Sequence, residues 1–412
     1  MTFDAVSRHD IRHPERSEGS PATPVPAPGR SLAALGMTPS PKPSRPESAE
    51  IKAMTGLRGV AAILVATYHY YPPATIAQPA LSRFIGKGYL WVDVFFILSG
   101  FVLALNYAHL FAGGWNARRW LGFLMRRLAR IYPLYLVLVA GAVLMTLLTY
   151  GNLQPNNPSP AVGLPTPARD LVANLLMMQS WGITRSINGP SWSISTEWAA
   201  YLAFPILVGV ALFSRAGTAL VATLGVAALM LGTVGLTTLD GAYHSGPLDA
   251  YDGTTIQPLL RCFGGFVLGL LTYRLARAPR VVAWVSRDVT LGVIIVLLVS
   301  GFALDVHDLV VYPLFAPLVL GLYGNRGRIG QLLGSFPIYW LGVVSYSLYL
   351  LHDYLIAPRN GLFDWLQARV PAVWAHAATV PAIYAALLLI AGLAYYGVEA
   401  PSRRWARRLS RA

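Results

Sequence analysis

Apolar residues run in long blocks from Gly56 onward, broken by short polar connections in which arginine is the commonest charge. A helix needs about 20 predominantly apolar residues to cross roughly 30 Å of hydrocarbon. Blocks near that length lie at residues 56–72, 88–107, 132–150, 197–213, 217–236, 257–273, 289–304, 309–323, 336–355 and 379–397, and each is predicted to be a transmembrane helix. The expected fold is an all-α integral membrane protein, a bundle of about ten transmembrane helices. The apolar stretch at 171–180 is too short to span and should re-enter or lie at the interface.

Residues 1–50 obey a different pattern. They are rich in Pro, Ser and Arg without apolar periodicity, so they cannot bury enough apolar surface to offset the entropy of ordering. They are expected to form a disordered cytoplasmic tail, or to precede a true start at Met37 or Met54. Residues 51–405 would then be a single membrane domain and 406–412 a short basic cytoplasmic tail. Composition agrees, with 55% of residues hydrophobic and 12% charged, against about 25% charged in soluble domains.

The net charge of +14 would suit a nucleic-acid partner on a soluble surface, but that reading weakens once the charges are mapped, because most lie between spans. Arg118, Arg119, Arg126, Arg127 and Arg130 follow the second block, and Arg274, Arg277, Arg280 and Arg287 the sixth. Arg326 and Arg328 follow the eighth block, and Arg403, Arg404, Arg407 and Arg408 the last. Loop 238–256 carries Asp240, Asp249 and Asp252 but no Lys or Arg. This alternation, broken by Arg83 and Lys87 in loop 73–87 and by Arg169 and Arg185 in loop 151–196, puts both termini in the cytoplasm and makes the lipid bilayer the partner of the charge. The single cysteine, Cys262, can form neither an internal disulfide nor a zinc site, and no metal centre is expected.

Ionisable groups inside apolar blocks are costly and mark function or an internal pair. Arg58 and His69 stand eleven residues apart in the first block, close to three helical turns, hence on one face and roughly 16 Å apart along the axis. A cytoplasmic-edge Arg58 would put His69 near mid-membrane or beyond, and histidine is the side chain best suited to exchange a proton near neutral pH. In isolation, snorkelling by Arg58 and packing by His69 would account for them equally well.

Three further clusters and a basic segment follow. Asp93 enters a block otherwise almost wholly apolar, with Ser99 and Gly100 as a small-residue notch open to another helix or an acyl chain. Ser193 and Glu197 lie one turn apart, and Trp192 and Trp198 beside them suit an interfacial position. Ser345, Tyr349 and His352 draw one polar stripe that should look into the bundle, as interhelical glue or as a site. Arg119, Arg126 and Arg130 share a helical face, placed either to set topology or to hold the phosphates of an anionic donor.

Taken in order, these motifs resemble the integral-membrane acyltransferase 3 family. The resemblance is carried by Arg58 and His69, by Val-Asp-x-Phe-Phe-x-x-Ser-Gly-Phe at 92–101 and by Arg-x-x-Arg-Ile-x-Pro-x-Tyr at 127–135. It continues through Ser-Trp-Ser-x-Ser-x-Glu at 191–197, Arg261 through Gly269, Ser-Tyr-Ser-x-Tyr-Leu-x-His at 345–352 and Glu399-Ala-Pro401, covering roughly residues 51–405. It implies O-acylation of an extracytoplasmic or membrane-associated acceptor, typically a carbohydrate or lipid-linked glycan, in the bacterial inner membrane. The implied donor is cytoplasmic acyl-CoA, with acetyl-CoA as the default. Some relatives carry a fused extracytoplasmic hydrolase-like domain; with the last residue at Ala412, any such partner enzyme is expected to be a separate chain.

The resemblance assigns Arg58 and His69 to the catalytic motif. The expected mechanism has His69 remove the proton from an acceptor hydroxyl as it attacks the thioester carbonyl. Glu197 or Asp93 would orient the imidazole and stabilise its charged form. Arg58, with Arg126, Arg127 and Arg130, would hold the CoA phosphates, and Ser99, Trp192, Ser193, Tyr349 and His352 would contact substrate. An acyl-histidine intermediate is the open alternative. A secondary transporter of a small polar solute would share the span number and the mid-membrane charges, but it predicts an internal repeat of spans that this sequence does not display.

Overall fold

The computed structural model describes residues 51–71, 76–150, 168–213, 216–240 and 245–409. The expected tail at 1–50, with its alternative start sites, lies outside them, as do the side chains of 406–412.

Among the described residues every regular element is helical. The principal helices are α1 (Lys52–Tyr70), α2 (Trp91–Tyr107), α3 (Ala117–Tyr150), α4 (Trp192–Leu212), α5 (Ala216–Leu239) and α6 (Gln257–Leu275). After them come α7 (Asp288–Ala303), α8 (Phe315–Gly324), α9 (Ser345–Leu351), α10 (Ala372–Ala394) and α11 (Ala400–Leu409). Each expected block therefore contains helix.

Five helical segments are long and apolar enough to cross a membrane: Pro79–Phe111, Ala117–Leu148, Gly189–Leu212, Gly217–Leu239 and Ala372–Trp405. A sixth is added if α6 and Pro279–Val285, bent by 110°, count as one broken span. The expectation of an all-α bundle of membrane helices is met, while the count of about ten spans, some short or interrupted, is matched by five or six on this measure. The reason is local: α7 and α8 are short, and the block at 336–355 is split into Phe336–Val343, α9 and a 3₁₀ turn, His352–Leu355. The basic segment, by contrast, is continuous with α3, so its arginines ride on a single rigid helix. The 171–180 stretch begins in a short helix, Ala168–Leu175. It is pinned to α3 by the Tyr132 and Tyr135 hydroxyls, which donate to the Leu175 and Asn174 carbonyls at 3.0 and 2.6 Å.

Leu144, Met145 and Leu148 on α3, Leu220, Leu224 and Leu231 on α5, and Val289, Val293 and Val296 on α7 all face outward. Helices apolar on their outer face are built for lipid rather than water. The chain is a multi-pass membrane protein.

The centre of the bundle is α6, against which α2, α4 and α5 pack. Gly100 and Gly269 allow the closest approach, because a Cβ on Gly100 would overlap the Phe266 carbonyl and one on Gly269 the Ile97 carbonyl. Small residues at a crossing let two backbones touch where no apolar driving force separates helix from lipid. The notch predicted beside Ser99 is thus filled by a helix at Gly100.

Candidate active site

A cavity of about 100 Å³ opens where α1, α2, α3, α4 and α9 converge. Arg58 of α1, Ser99 of α2, Arg127 and Arg130 of α3, Ser193, Glu197 and Tyr201 of α4, and Tyr349 of α9 line it, with Phe95, Phe96 and Leu98 as apolar wall. Arg127 and Arg130 reach it together because residues three apart share a helix face. None of these three arginines donates a hydrogen bond to a described residue, and the Arg127 Nε is buried without a partner. The Arg127 guanidinium lies over the rings of Tyr107 and Tyr201, at 5.5 and 5.9 Å. Glu197 accepts hydrogen bonds from Ser99 and from the Tyr201 hydroxyl.

A second tier reinforces the first. α10 runs through a π-helical turn, Tyr395–Glu399, into α11. Buried Glu399 accepts there from Ser347 at 3.2 Å and from Arg403 at 3.1 Å. Arg58 lies within Coulombic reach of Arg130, Arg403, Glu197 and Glu399. Arg58, Arg127, Arg130 and Arg403 outnumber the two carboxylates, so the cavity and its surround carry net positive charge. Guanidinium forks with free N–H groups in such a setting are suited to phosphate or carboxylate.

His69 does not line this cavity. It occupies the last turn of α1, with Nδ1 2.9 Å from the Val65 carbonyl. A carbonyl only accepts, so Nδ1 carries the proton and Nε2 keeps a lone pair. The ring lies 4.9 Å from that of His352. His352 is fully buried, its Nδ1 is 2.6 Å from the Tyr349 carbonyl, and its Nε2 has no partner. Two imidazoles of the same tautomer therefore stand side by side, each with Nε2 available as a base.

Asp353 follows His352 on the same turn and lies within Coulombic reach of His69. Its carboxylate packs against Gly189, where a Cβ would come within 2.7 Å of the Asp353 Oδ2. Tyr349 joins the two regions. Its hydroxyl pairs with the Ser193 hydroxyl at 2.8 Å in the cavity wall, and its ring lies 5.7 Å from that of His352.

Several expected roles change. Asp93 is held bidentately by Arg261, with Nε to Oδ1 at 3.1 Å and Nη2 to Oδ2 at 2.7 Å, both side chains fully buried. Arg261 also donates to the carbonyls of Tyr89 and Ala250, at 2.7 and 3.3 Å. Asp93 is thus paired with Arg261, and no described contact joins it to His69. Glu197 lines the cationic cavity, and the carboxylate within Coulombic reach of His69 is Asp353. Trp192 is buried rather than interfacial, packed on Phe96 at 6.0 Å and beneath the Arg261 guanidinium at 5.4 Å. Arg126 leans on Tyr107 at 5.4 Å outside the cavity lining, while Arg119 donates to the Leu110 carbonyl. Ser99, Ser193 and Tyr349 do line the cavity, and His352 stands behind it. Tyr201 and Asp353 are additions that motif spacing did not single out, while Glu399 and Arg403, read from the sequence only as a closing motif and a tail charge, form the second tier. Among the described residues, no group of His, Cys, Asp and Glu is arranged to hold a metal ion.

Fold and site together define a multi-pass membrane protein whose interior holds a cationic cavity beside a pair of imidazoles. Residues 51–397 match the family model described as an acyltransferase domain, Acyl_transf_3, and the chain belongs to that family. It is similar to the acyltransferase MdmB of Streptomyces mycarofaciens, with 37% identity over 174 residues that cover 39% of this chain and 40% of MdmB. The putative peptidoglycan O-acetyltransferase YrhL of Bacillus subtilis is 24% identical over 73% of this chain and 48% of its own length. The peptidoglycan O-acetyltransferase OatA of Listeria monocytogenes is 22% identical over 86% of this chain and 56% of its own length. The chain thus spans about half the length of these curated relatives. No solved structure matches it.

Proposed function

We propose that the protein is an O-acyltransferase that moves an acyl group, acetyl in the first instance, from cytoplasmic acyl-CoA to a hydroxyl of an extracytoplasmic or membrane-associated carbohydrate. The observation that carries this reading is the convergence of Arg58, Arg127 and Arg130, none hydrogen-bonded to a described residue, on one cavity that shares α1 with His69. The arginines hold the donor's phosphates at the cytoplasmic mouth, and Glu197, held by Ser99 and Tyr201, keeps the cationic cluster apart and oriented. His69 Nε2 takes the acceptor's proton, and Asp353 stabilises the imidazolium that forms. A carbohydrate acceptor fits the two relatives named as peptidoglycan O-acetyltransferases. The accompanying topology has about ten crossings of the inner membrane, with both termini cytoplasmic because the arginine-rich connections mark that side.

The experiment is release of CoA thiol from acetyl-CoA by the purified protein in detergent, comparing wild type with His69→Ala and Arg58→Ala. Turnover by wild type that both substitutions abolish, without loss of fold, is expected. A folded wild type that neither binds nor turns over acyl-CoA would overturn the reading.

A further inference from the structure

One face of α1 leads from the cavity to His69, whose side is exposed. Ala62 stands four residues after Arg58 and Ala66 three before His69, so all four share that face, and neither alanine is exposed. With Tyr70 and with Leu348 of α9, the two alanines belong to a small apolar cluster set apart from the main core. Among the described residues Phe95 is the only partly buried apolar side chain packed against both that cluster and the main core. It also lines the cavity, where its ring lies 5.6 Å from that of Tyr349. Phe96 and Phe101 on the same helix are fully buried, whereas Phe95 is only half-buried. Ser99, one turn along α2 on the same face, opens to the cavity as well. The start of α2 lies beside the His69 end of α1, where Gly88 meets Tyr68. Phe95 is therefore a turn nearer that end than Ser99, and the cavity runs from arginines at one end to an aromatic wall at the other.

We infer that Phe95 sets the length of the acyl group the protein accepts, its ring closing the His69 end of the donor cavity so that acetyl fits and longer chains do not. This deepens the acyl-CoA reading above and rests on it. With the donor's phosphates on Arg58, Arg127 and Arg130, the thioester has to point along α1 toward His69 for an acceptor hydroxyl to reach its carbonyl. That direction meets Phe95 and Tyr349. The methyl group of an acetyl donor packs against the Phe95 ring, and each further methylene has to displace it. The ring has little freedom to move aside. Tyr349 stands against it, itself held by the Ser193 hydroxyl at 2.8 Å, and the cluster of Ala62, Ala66, Tyr70 and Leu348 backs it. A methylene that an apolar pocket cannot hold is worth about 10–200-fold in discrimination, so one ring at this position suffices to select the donor.

The test is equilibrium binding of CoA, acetyl-CoA and butyryl-CoA to the full chain in detergent, comparing wild type with Phe95→Ala and Phe95→Leu. Wild type should bind acetyl-CoA at least ~10-fold more tightly than butyryl-CoA. Phe95→Ala should shift that ratio toward butyryl-CoA by at least ~10-fold while leaving the affinity for CoA, which carries no acyl group, within about threefold of wild type. Phe95→Leu, which keeps apolar contact and frees less space, should shift the ratio in the same direction by a smaller factor, and it decides alone if Phe95→Ala does not fold. A wild type that binds acetyl-CoA and butyryl-CoA equally would overturn the inference. So would variants that keep the wild-type ratio, or that lose affinity for all three ligands in parallel, which would make Phe95 a packing residue only. Failure of folded wild type to bind any of the three is a separate result: it removes the acyl-CoA reading, and the inference about Phe95 falls with it.

Discussion

Arg261 and Arg58 both lie inside the bundle, one sealed against Asp93 and the other facing a cavity. Arg261 makes four hydrogen bonds, two to the Asp93 carboxylate and two to backbone carbonyls, with no exposure of either side chain. Arg58, Arg127 and Arg130 make none to a described residue, although retaining unpaired cations in a membrane interior is costly. The contrast separates two uses of intramembrane charge. A buried ion pair whose guanidinium makes four hydrogen bonds ties α2 to α6 and leaves no open face toward the cavity. Guanidinium groups left open around a cavity contribute nothing comparable to the fold and are explained by something that comes and goes.

The sharpest way to break the comparison is to remove one half of the sealed pair. Leaving a buried charge without its partner costs about 3–5 kcal/mol. Arg261→Met should therefore greatly reduce folded protein, seen as monodisperse protein in detergent gel filtration. Replacing both members, Asp93→Leu with Arg261→Met, should recover much of that loss, since an apolar pair of similar volume is often neutral. If the double variant were as unfolded as the single one, hydrogen bonding to Tyr89 and Ala250 would outweigh the ion pair.

On the open side the expected effects reverse. Arg127→Ala or Arg130→Ala should leave the melting temperature near wild type while raising KM for acetyl-CoA by about tenfold, the equivalent of ~1.4 kcal/mol. A smaller effect is expected of Tyr201→Phe, which deletes one hydrogen bond to Glu197. One bond to a charged group is worth about 1.5–3 kcal/mol when fully buried, and less is expected here because Ser99 still holds the carboxylate. A KM change of severalfold with kcat preserved would place Tyr201 in donor binding.

How much of this was legible beforehand depends on range. Helix positions and membrane class follow from apolar block length, a local property. The shared face of Arg58 and His69 follows from helical pitch, and the structure keeps both on α1. Partners across long separations were out of reach: Asp93 and Arg261 stand 168 residues apart, and nothing in either local pattern links them. The hydrogen bond from Ser99 to Glu197 spans 98 residues and was equally out of reach, although the pairing of Glu197 with Ser193 on one helical face was not. Asp353 was missed for a different reason. Spacing at 3.6 residues per turn carried the stripe only as far as His352, whereas the chain tightens there into a 3₁₀ turn, which rotates side chains off the α-helical faces and brings Asp353 round toward His69. Block length does not register breaks within a block, such as the one at Val344 that divides residues 336–355 into separate helices.

The central claim is that the open arginines exist for an anionic donor while the sealed one exists for the fold. Its most direct test is equilibrium binding of CoA to the detergent-purified protein, comparing wild type with the Arg127→Ala, Arg130→Ala double variant at matched melting temperature. The account predicts that wild type binds CoA and that the double variant loses at least about tenfold in affinity, with its fold intact. Equal binding by the two proteins would contradict it.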